Sequence, residues 1–182
     1  MDPLASFHPV VQAWFRESFP APTPPQAIAF PAIAKGDSTL LVAPTGSGKT
    51  LAAFLAAIDK LSFGEDPPQA SRLRVLYVSP LKALGVDVER NLRAPLAGVD
   101  RVAERMGVKK REVDVSLRTG DTPARERARF LRYPSDILIT TPESLYLLLT
   151  SEASARLASV DVLILDEIHA CLLYTSPSPR DS

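Results

Sequence analysis

The sequence holds one cysteine, Cys171, and two histidines, His8 and His169, in 182 residues. A single thiol excludes an intramolecular disulfide and any Cys-based zinc site, and two histidines so far apart argue against a structural metal site. No apolar run approaches the ~20 residues that span a bilayer, and the N-terminus lacks the basic flank and apolar core of a secretory signal. The expected address is therefore the cytoplasm, with no membrane partner. There is also no net charge, with 21 Lys and Arg against 21 Asp and Glu. That balance argues against a bulk electrostatic binder of nucleic acid and leaves room for a local basic face. Arg101, Arg105, Lys109, Lys110, Arg111, Arg118, Arg125, Arg127, Arg129 and Arg132 crowd one region, against Glu104, Glu112, Asp114, Asp121 and Glu126. Either such a face or solvated helix surfaces of mixed charge accounts for them.

What remains is ordinary for a globular domain with a real core: 46% hydrophobic and 23% charged residues. Glycine is scarce, at eight residues, yet two of them fall in the stretch that organises the chain, Ala43-Pro44-Thr45-Gly46-Ser47-Gly48-Lys49-Thr50. An apolar run at 39–42 precedes it and a helix-like run from Leu51 follows. Strand, glycine turn and helix start, in that order, make a phosphate cradle: the glycines let backbone N–H groups converge on phosphate oxygens, and the helix N-terminus adds partial positive charge. Thr45, Gly46, Ser47 and Gly48 form the cradle, Lys49 reaches the β/γ-phosphates, and the Thr50 hydroxyl binds Mg²⁺. Alanine stands at the first position of the usual G-x-x-x-x-G-K-[ST] pattern, with Gly46 and Gly48 still supplying the turn. ATP and Mg²⁺ are the cofactors this predicts.

Before the loop, Val10, Val11, Trp14, Phe15 and Phe19 recur at helical spacing, the prolines at 20, 22, 24 and 25 impose a rigid turn, and a second helix is expected over 26–34. After it, a helix runs from Lys49 to about Leu61, and short apolar strands alternate with helices. Strands are expected at 39–42, 74–79, 113–117, 136–140 and 162–166. One helix follows from Leu81 until Pro95 interrupts it, a charged one runs from Thr122 to Arg132, and another opens at Thr141-Pro142. This alternation predicts an α/β fold: a parallel sheet with helices on both faces, whose ligands bind at the carboxyl ends of the strands.

The last strand runs into Asp166-Glu167-Ile168-His169. Asp166 can hold Mg²⁺ opposite Thr50, and Glu167 can orient and deprotonate an attacking water. Taken by itself, the tetrapeptide is an acidic turn; beside a phosphate loop it reads as the catalytic half of a nucleotide hydrolase, with Lys49, Asp166 and Glu167 as the catalytic residues.

In chain order, Pro22-Thr23-Pro24-Pro25-Gln26, the phosphate loop, Ser79-Pro80-Leu81-Lys82-Ala83-Leu84, Arg118-Thr119-Gly120-Asp121, Thr140-Thr141-Pro142-Glu143-Ser144 and Asp166-Glu167-Ile168-His169 resemble the first motor domain of a superfamily 2 helicase. More narrowly, 77–96 and 136–149 resemble Lhr, the large helicase-related ATPases of bacteria and archaea. The resemblance covers 7–170 and implies a RecA-like P-loop domain over 37–170, preceded at 1–36 by a helical segment carrying a Q-motif-like Gln26. It implies that Gln26 reads adenine, since its amide can donate and accept together. It further implies that Pro80, Lys82, Thr119, Gly120 and Thr141 contact one strand's sugar-phosphate backbone, and that His169 couples the two sites. A helix cap is the alternative for Thr141, and a solvated side chain for Lys82. The implied activity is an ATP-dependent helicase or translocase moving 3′→5′ on single-stranded DNA, in genome maintenance, with RNA also open as a partner. An ATP-gated clamp that grips nucleic acid without unwinding it is the alternative of another class.

The resemblance also implies a second RecA-like domain, whose arginines complete ATP hydrolysis and which this chain does not contain. Residues 171–182 instead match the translation of a transposase-type sequencing-library adapter, and are expected not to belong to the natural protein; a genuine Ser/Pro-rich tail is the alternative. The expectation for the chain by itself is weak nucleotide binding and poor turnover.

Overall fold

A computed structural model describes residues 2–168. In chain order the elements are α1 (Pro9–Ser18), α2 (Pro24–Lys35), α3 (Lys49–Phe63), β1 (Val75–Val78), α4 (Lys82–Arg105), β2 (Val115–Arg118), α5 (Ala124–Arg132), β3 (Ile137–Thr140), α6 (Pro142–Leu149), α7 (Ser154–Leu157) and β4 (Val162–Leu165). They form two compact units, one from residues up to Asp66 together with Arg90–Val113, the other from Pro67–Glu89 together with Asp114 onward. His169 and the tail at 171–182 lie outside the described residues.

The first unit is helical. Its α1 buries Val10, Val11, Trp14 and Phe15, four of the five residues whose spacing predicted it; the fifth, Phe19, follows the helix and is 38% exposed. Phe15 and Phe7 each meet Phe30 of α2 edge to face, at centroid distances of 5.6 and 5.3 Å, a favoured aromatic geometry. Gly36, at φ 87°, ends α2 in the left-handed conformation that suits glycine. The later part of α4 also lies here: a Cβ on Gly98 would stand 2.0 Å from Trp14 Nε1, so only glycine permits that approach of α4 to α1.

Two expectations fail in this region. No strand forms at 39–42; the segment is irregular, with Leu40 75% and Val42 85% exposed. A strand exists through its ladder of hydrogen bonds, and the first unit holds no strand among its described residues with which this run could pair. Nor does Pro95 interrupt α4, which continues through it to Arg105. Proline inside a helix costs about 3 kcal/mol, and burial of Leu92, Val99, Val102 and Ala103 offsets that at roughly 1.5–3 kcal/mol per large apolar side chain.

The second unit is a four-stranded parallel sheet in the order β2-β3-β1-β4. Central β1 and β3 are buried at all four positions, as strands covered on both faces should be. On one face Leu76, Val78 and Leu138 pack with Phe130 of α5, Leu148 of α6 and Ala153. On the other, α4 comes so near that a Cβ on Gly85 would lie 3.2 Å from Leu117 and 3.3 Å from Ile139. Asp136, fully buried, ties the strand starts together. Its carboxylate accepts hydrogen bonds from Arg72 Nε (3.2 Å) and Nη2 (3.1 Å) and from the Asp114 N–H (2.8 Å). Among the described residues no helix is long and apolar enough to cross a membrane.

Candidate functional site

The phosphate loop lies in the first unit. Gly46 and Gly48 both sit at φ 80°, a conformation that turns successive N–H groups toward a common point and that a Cβ disfavours. Two residues at the start of α2, its cap Thr23 and Gln26 in its first turn, hold the loop. Thr23 Oγ1 donates to the Ser47 carbonyl at 2.8 Å, and Gln26 Nε2 donates to the Gly48 carbonyl at 3.2 Å. Gln26 Oε1 accepts from the Thr23 N–H at 3.0 Å, so the amide is buried between the start of α2 and the loop. A Cβ on Gly48 would fall 2.3 Å from Gln26 Nε2.

Lys49 Nζ folds back onto its own loop, donating to the carbonyls of Ala43 (2.6 Å) and Pro44 (3.0 Å). Thr45 and Thr50 are exposed. Gly48 begins α3 with no side-chain cap, which leaves the first N–H groups of a fifteen-residue helix without an intrahelical acceptor. Ser47 Oγ is buried with no hydrogen-bond partner among the described residues, which leaves it able to bond a ligand. These features fit an anionic phosphate group: an uncapped helix start after two left-handed glycines, an ammonium at the loop and a hydroxyl with no partner among the described residues.

The acidic pair lies in the second unit, at the carboxyl end of β4. The Asp166 N–H donates to the Val78 carbonyl at 3.0 Å, which extends the ladder one residue past the strand. The Tyr77 hydroxyl, on neighbouring β1, donates to Asp166 Oδ2. Asp166 Oδ1 accepts from the Glu167 N–H at 3.0 Å. Glu167, at φ 48°, is the one non-glycine among the described residues in the left-handed region, a conformation that costs about 1–2 kcal/mol. Its side chain is exposed beyond the strand end.

The remaining predicted positions stand at the carboxyl ends of three adjacent strands: Pro80 and Lys82 after β1, Thr119 and Gly120 after β2, Thr141 after β3. Thr141 Oγ1 accepts from the Ser144 N–H at 3.4 Å, the cap its sequence suggested. The Thr119 N–H donates to Thr122 Oγ1 at 2.9 Å. Lys82 Nζ donates to Asp121 Oδ2 at 2.5 Å, joining the β1 and β2 loops and holding the exposed Asp121 carboxyl below its ordinary pKa by hydrogen bond and charge. Arg127 of α5 braces the same loop from behind, donating to the Thr122 carbonyl at 2.7 Å and the Gly120 carbonyl at 3.3 Å.

The contacts of Thr23, Tyr77 and Arg127 escape sequence reasoning, which meets Thr23 only within its motif and Arg127 only within the basic cluster. Tyr77 carries the one signal, as the sole polar tip in an otherwise apolar buried strand, where a phenol normally finds a partner. The basic residues also separate. Arg105, Lys110 and Arg111 pair with Glu17, Asp100 and Asp66 in the first unit, whereas Arg118 and Arg127 in the second form no ion pair among the described residues.

Comparison with known proteins places these features in context. The family model DEAD/DEAH box helicase matches residues 23–176. A curated relative, Lhr helicase/probable uracil glycosylase of Mycolicibacterium smegmatis, is 56% identical over 170 residues, 93% of this chain and 11% of that protein. Lhr helicase/uracil glycosylase of Escherichia coli is 50% identical over 169 residues, 90% of this chain and 11% of that protein. The solved structure of the Mycobacterium smegmatis helicase Lhr bound to ssDNA and AMP-PNP superposes with a TM-score of 0.87 at 56% identity, covering 93% of this chain and 21% of that one. The chain thus spans about a tenth of the length of these two curated relatives.

Proposed function

The chain belongs to the DEAD/DEAH box helicase family, and on that premise we propose that it is the ATP-binding part of the motor of an Lhr-type helicase. Substrates are ATP and a single nucleic-acid strand, DNA before RNA; the site of action is the cytoplasm and the role genome maintenance. The observation that carries the reading is the phosphate loop, where one turn holds two left-handed glycines, Lys49 and a Ser47 hydroxyl with no partner among the described residues.

In the first unit, the N–H groups of 45–50 bind phosphate oxygens, the Ser47 hydroxyl gains the partner it lacks, and Lys49 exchanges loop carbonyls for phosphate. Thr50 is the hydroxyl ligand of Mg²⁺. Gln26 reads adenine by sharing or giving up the bonds that its buried amide makes to the Thr23 N–H and the Gly48 carbonyl. In the second unit, Asp166 is the carboxylate ligand of Mg²⁺, oriented by Tyr77, and Glu167 takes the proton of the attacking water. When bound, ATP with Mg²⁺ supplies the phosphoryl group that is transferred to water. Lys82, Thr119, Gly120, Pro80 and Thr141, at three neighbouring strand ends, bind the strand's backbone through N–H groups, hydroxyls and one ammonium, a set that positions a strand without reading bases. His169 couples nucleotide and strand binding.

The decisive assay is ATP turnover by the longer protein with and without single strands. Stimulation together with strand displacement in the 3′→5′ direction is the expected result. Turnover indifferent to both DNA and RNA would refute the reading, and stimulation without displacement would replace unwinding by clamping.

A further inference from the structure

A cavity of about 210 Å³ opens between β2 and α5, wholly inside the second unit, with Arg118, Arg127, Arg129, Tyr133, Asp114 and Glu126 among its walls. It is far larger than the space one water needs. Arg118, the last residue of β2, is half-buried there and has neither an ion pair nor a side-chain hydrogen bond among the described residues. Burial first, and the Arg127 charge second, push its guanidinium below its ordinary pKa. Among the described residues Arg127 donates only to the carbonyls of Gly120 and Thr122. Two neighbouring cations on a cavity wall, with no carboxylate paired to either, are an arrangement that an anion relieves.

Three features fix the anion's class. Arg118 is joined directly to Thr119, and Arg127 holds the carbonyls of the loop that carries Thr119 and Gly120, so the cavity continues the proposed strand path. At its rim Tyr133 is 63% exposed, a ring on which an unstacked base can lie. Guanidinium groups match phosphate oxygens in a bidentate fork. From this geometry we infer that the β2–α5 cavity binds a phosphate of a single nucleic-acid strand on Arg118 and Arg127, with the adjoining base stacked on Tyr133. The inference rests on the nucleic-acid reading of the strand-end loops and extends it by one binding step.

The test is fluorescence anisotropy of a labelled single-stranded oligonucleotide against this chain at several salt concentrations, for the wild type, Arg118→Gln, Arg118→Lys, Tyr133→Ala and Lys82→Ala. Arg118→Gln is expected to weaken binding about tenfold and to reduce the slope of log K against log salt by about 1. Arg118→Lys should retain most of that slope, and Tyr133→Ala should weaken binding with the slope unchanged. Because the Arg118 side chain has no partner to lose among the described residues, Arg118→Gln should melt no lower than the wild type, which separates lost binding from lost fold. Wild-type affinity and slope in Arg118→Gln, beside weakened binding in Lys82→Ala, would overturn the cavity site and leave the strand-end reading standing. No binding of DNA or RNA by the wild type would overturn both. Protection by inorganic phosphate that depends on Arg118, with no strand bound, would make this a small-anion site and overturn the nucleic-acid assignment.

Discussion

The Tyr77 hydroxyl donates a hydrogen bond to the Asp166 carboxylate. Tyr77 is 1% exposed in a central strand, so a rigid core residue sets the direction of the proposed metal ligand. Groups that orient a ligand in this way typically change metal affinity or activity 10–100-fold when removed. Tyr77→Phe keeps the ring and deletes the donor. In the longer protein it is expected to raise the Mg²⁺ concentration for half-maximal ATP turnover by about tenfold, with the fold retained. A Mg²⁺ titration checks this, and an unchanged midpoint would remove Tyr77 from the site.

Gly46 and Gly48 share a φ of 80° but differ in their surroundings: nothing lies within 4 Å of a Cβ at Gly46, whereas one at Gly48 meets Gln26 at 2.3 Å. Gly46→Ala should therefore carry only backbone strain, about 1–2 kcal/mol. Gly48→Ala adds a displaced Gln26 and should weaken nucleotide binding more. Gly48→Ala combined with Gln26→Ala should be less damaging than the sum of the single changes, because the clash is relieved. Titration of a fluorescent ATP analogue across the four variants measures the coupling.

Asp136 joins the starts of three strands through Arg72, Asp114 and its own backbone. Asp136→Ala leaves a partly buried guanidinium and a backbone N–H without their acceptor and should cost about 3 kcal/mol of stability. Urea denaturation is the measurement.

Burial pushes the Asp59 carboxyl above its ordinary pKa, against the opposing pull of the His8 N–H, which donates to it at 2.7 Å. A carboxyl raised in the folded state favours folding when protonated, and this contribution is lost as pH rises through the raised pKa. Asp59→Asn keeps an acceptor for His8 and removes the charge. It should melt higher than the wild type at neutral pH, and the gap should narrow as the pH is lowered through the carboxylate range. A constant gap would contradict the assignment.

What the sequence made legible is local in character. The glycine turn that opens α3, the Thr141 cap and the strand before Asp166 depend on neighbouring residues, and each appears where its pattern placed it. The exceptions depend on distant ones. Residues 39–42 have the composition of a strand, but a ladder needs a partner that composition does not reveal. Pro95 has the effect of a breaker in an isolated helix, whereas α4 is held by Trp14 against Gly98 and by buried Val99 and Val102. The Tyr77–Asp166 and Asp136–Arg72 contacts join residues 89 and 64 positions apart, so they follow from strand register, and that Arg118 pairs with no carboxylate among the described residues, although Asp114 and Glu126 line the same cavity, is a matter of side-chain placement that sequence does not reveal.

Direct binding of a fluorescent ATP analogue to this chain in Mg²⁺ tests the central claim. Saturable binding is predicted, lost in Lys49→Ala with the melting temperature preserved. No binding by the wild type, or equal binding by Lys49→Ala, would contradict the assignment of the phosphate loop.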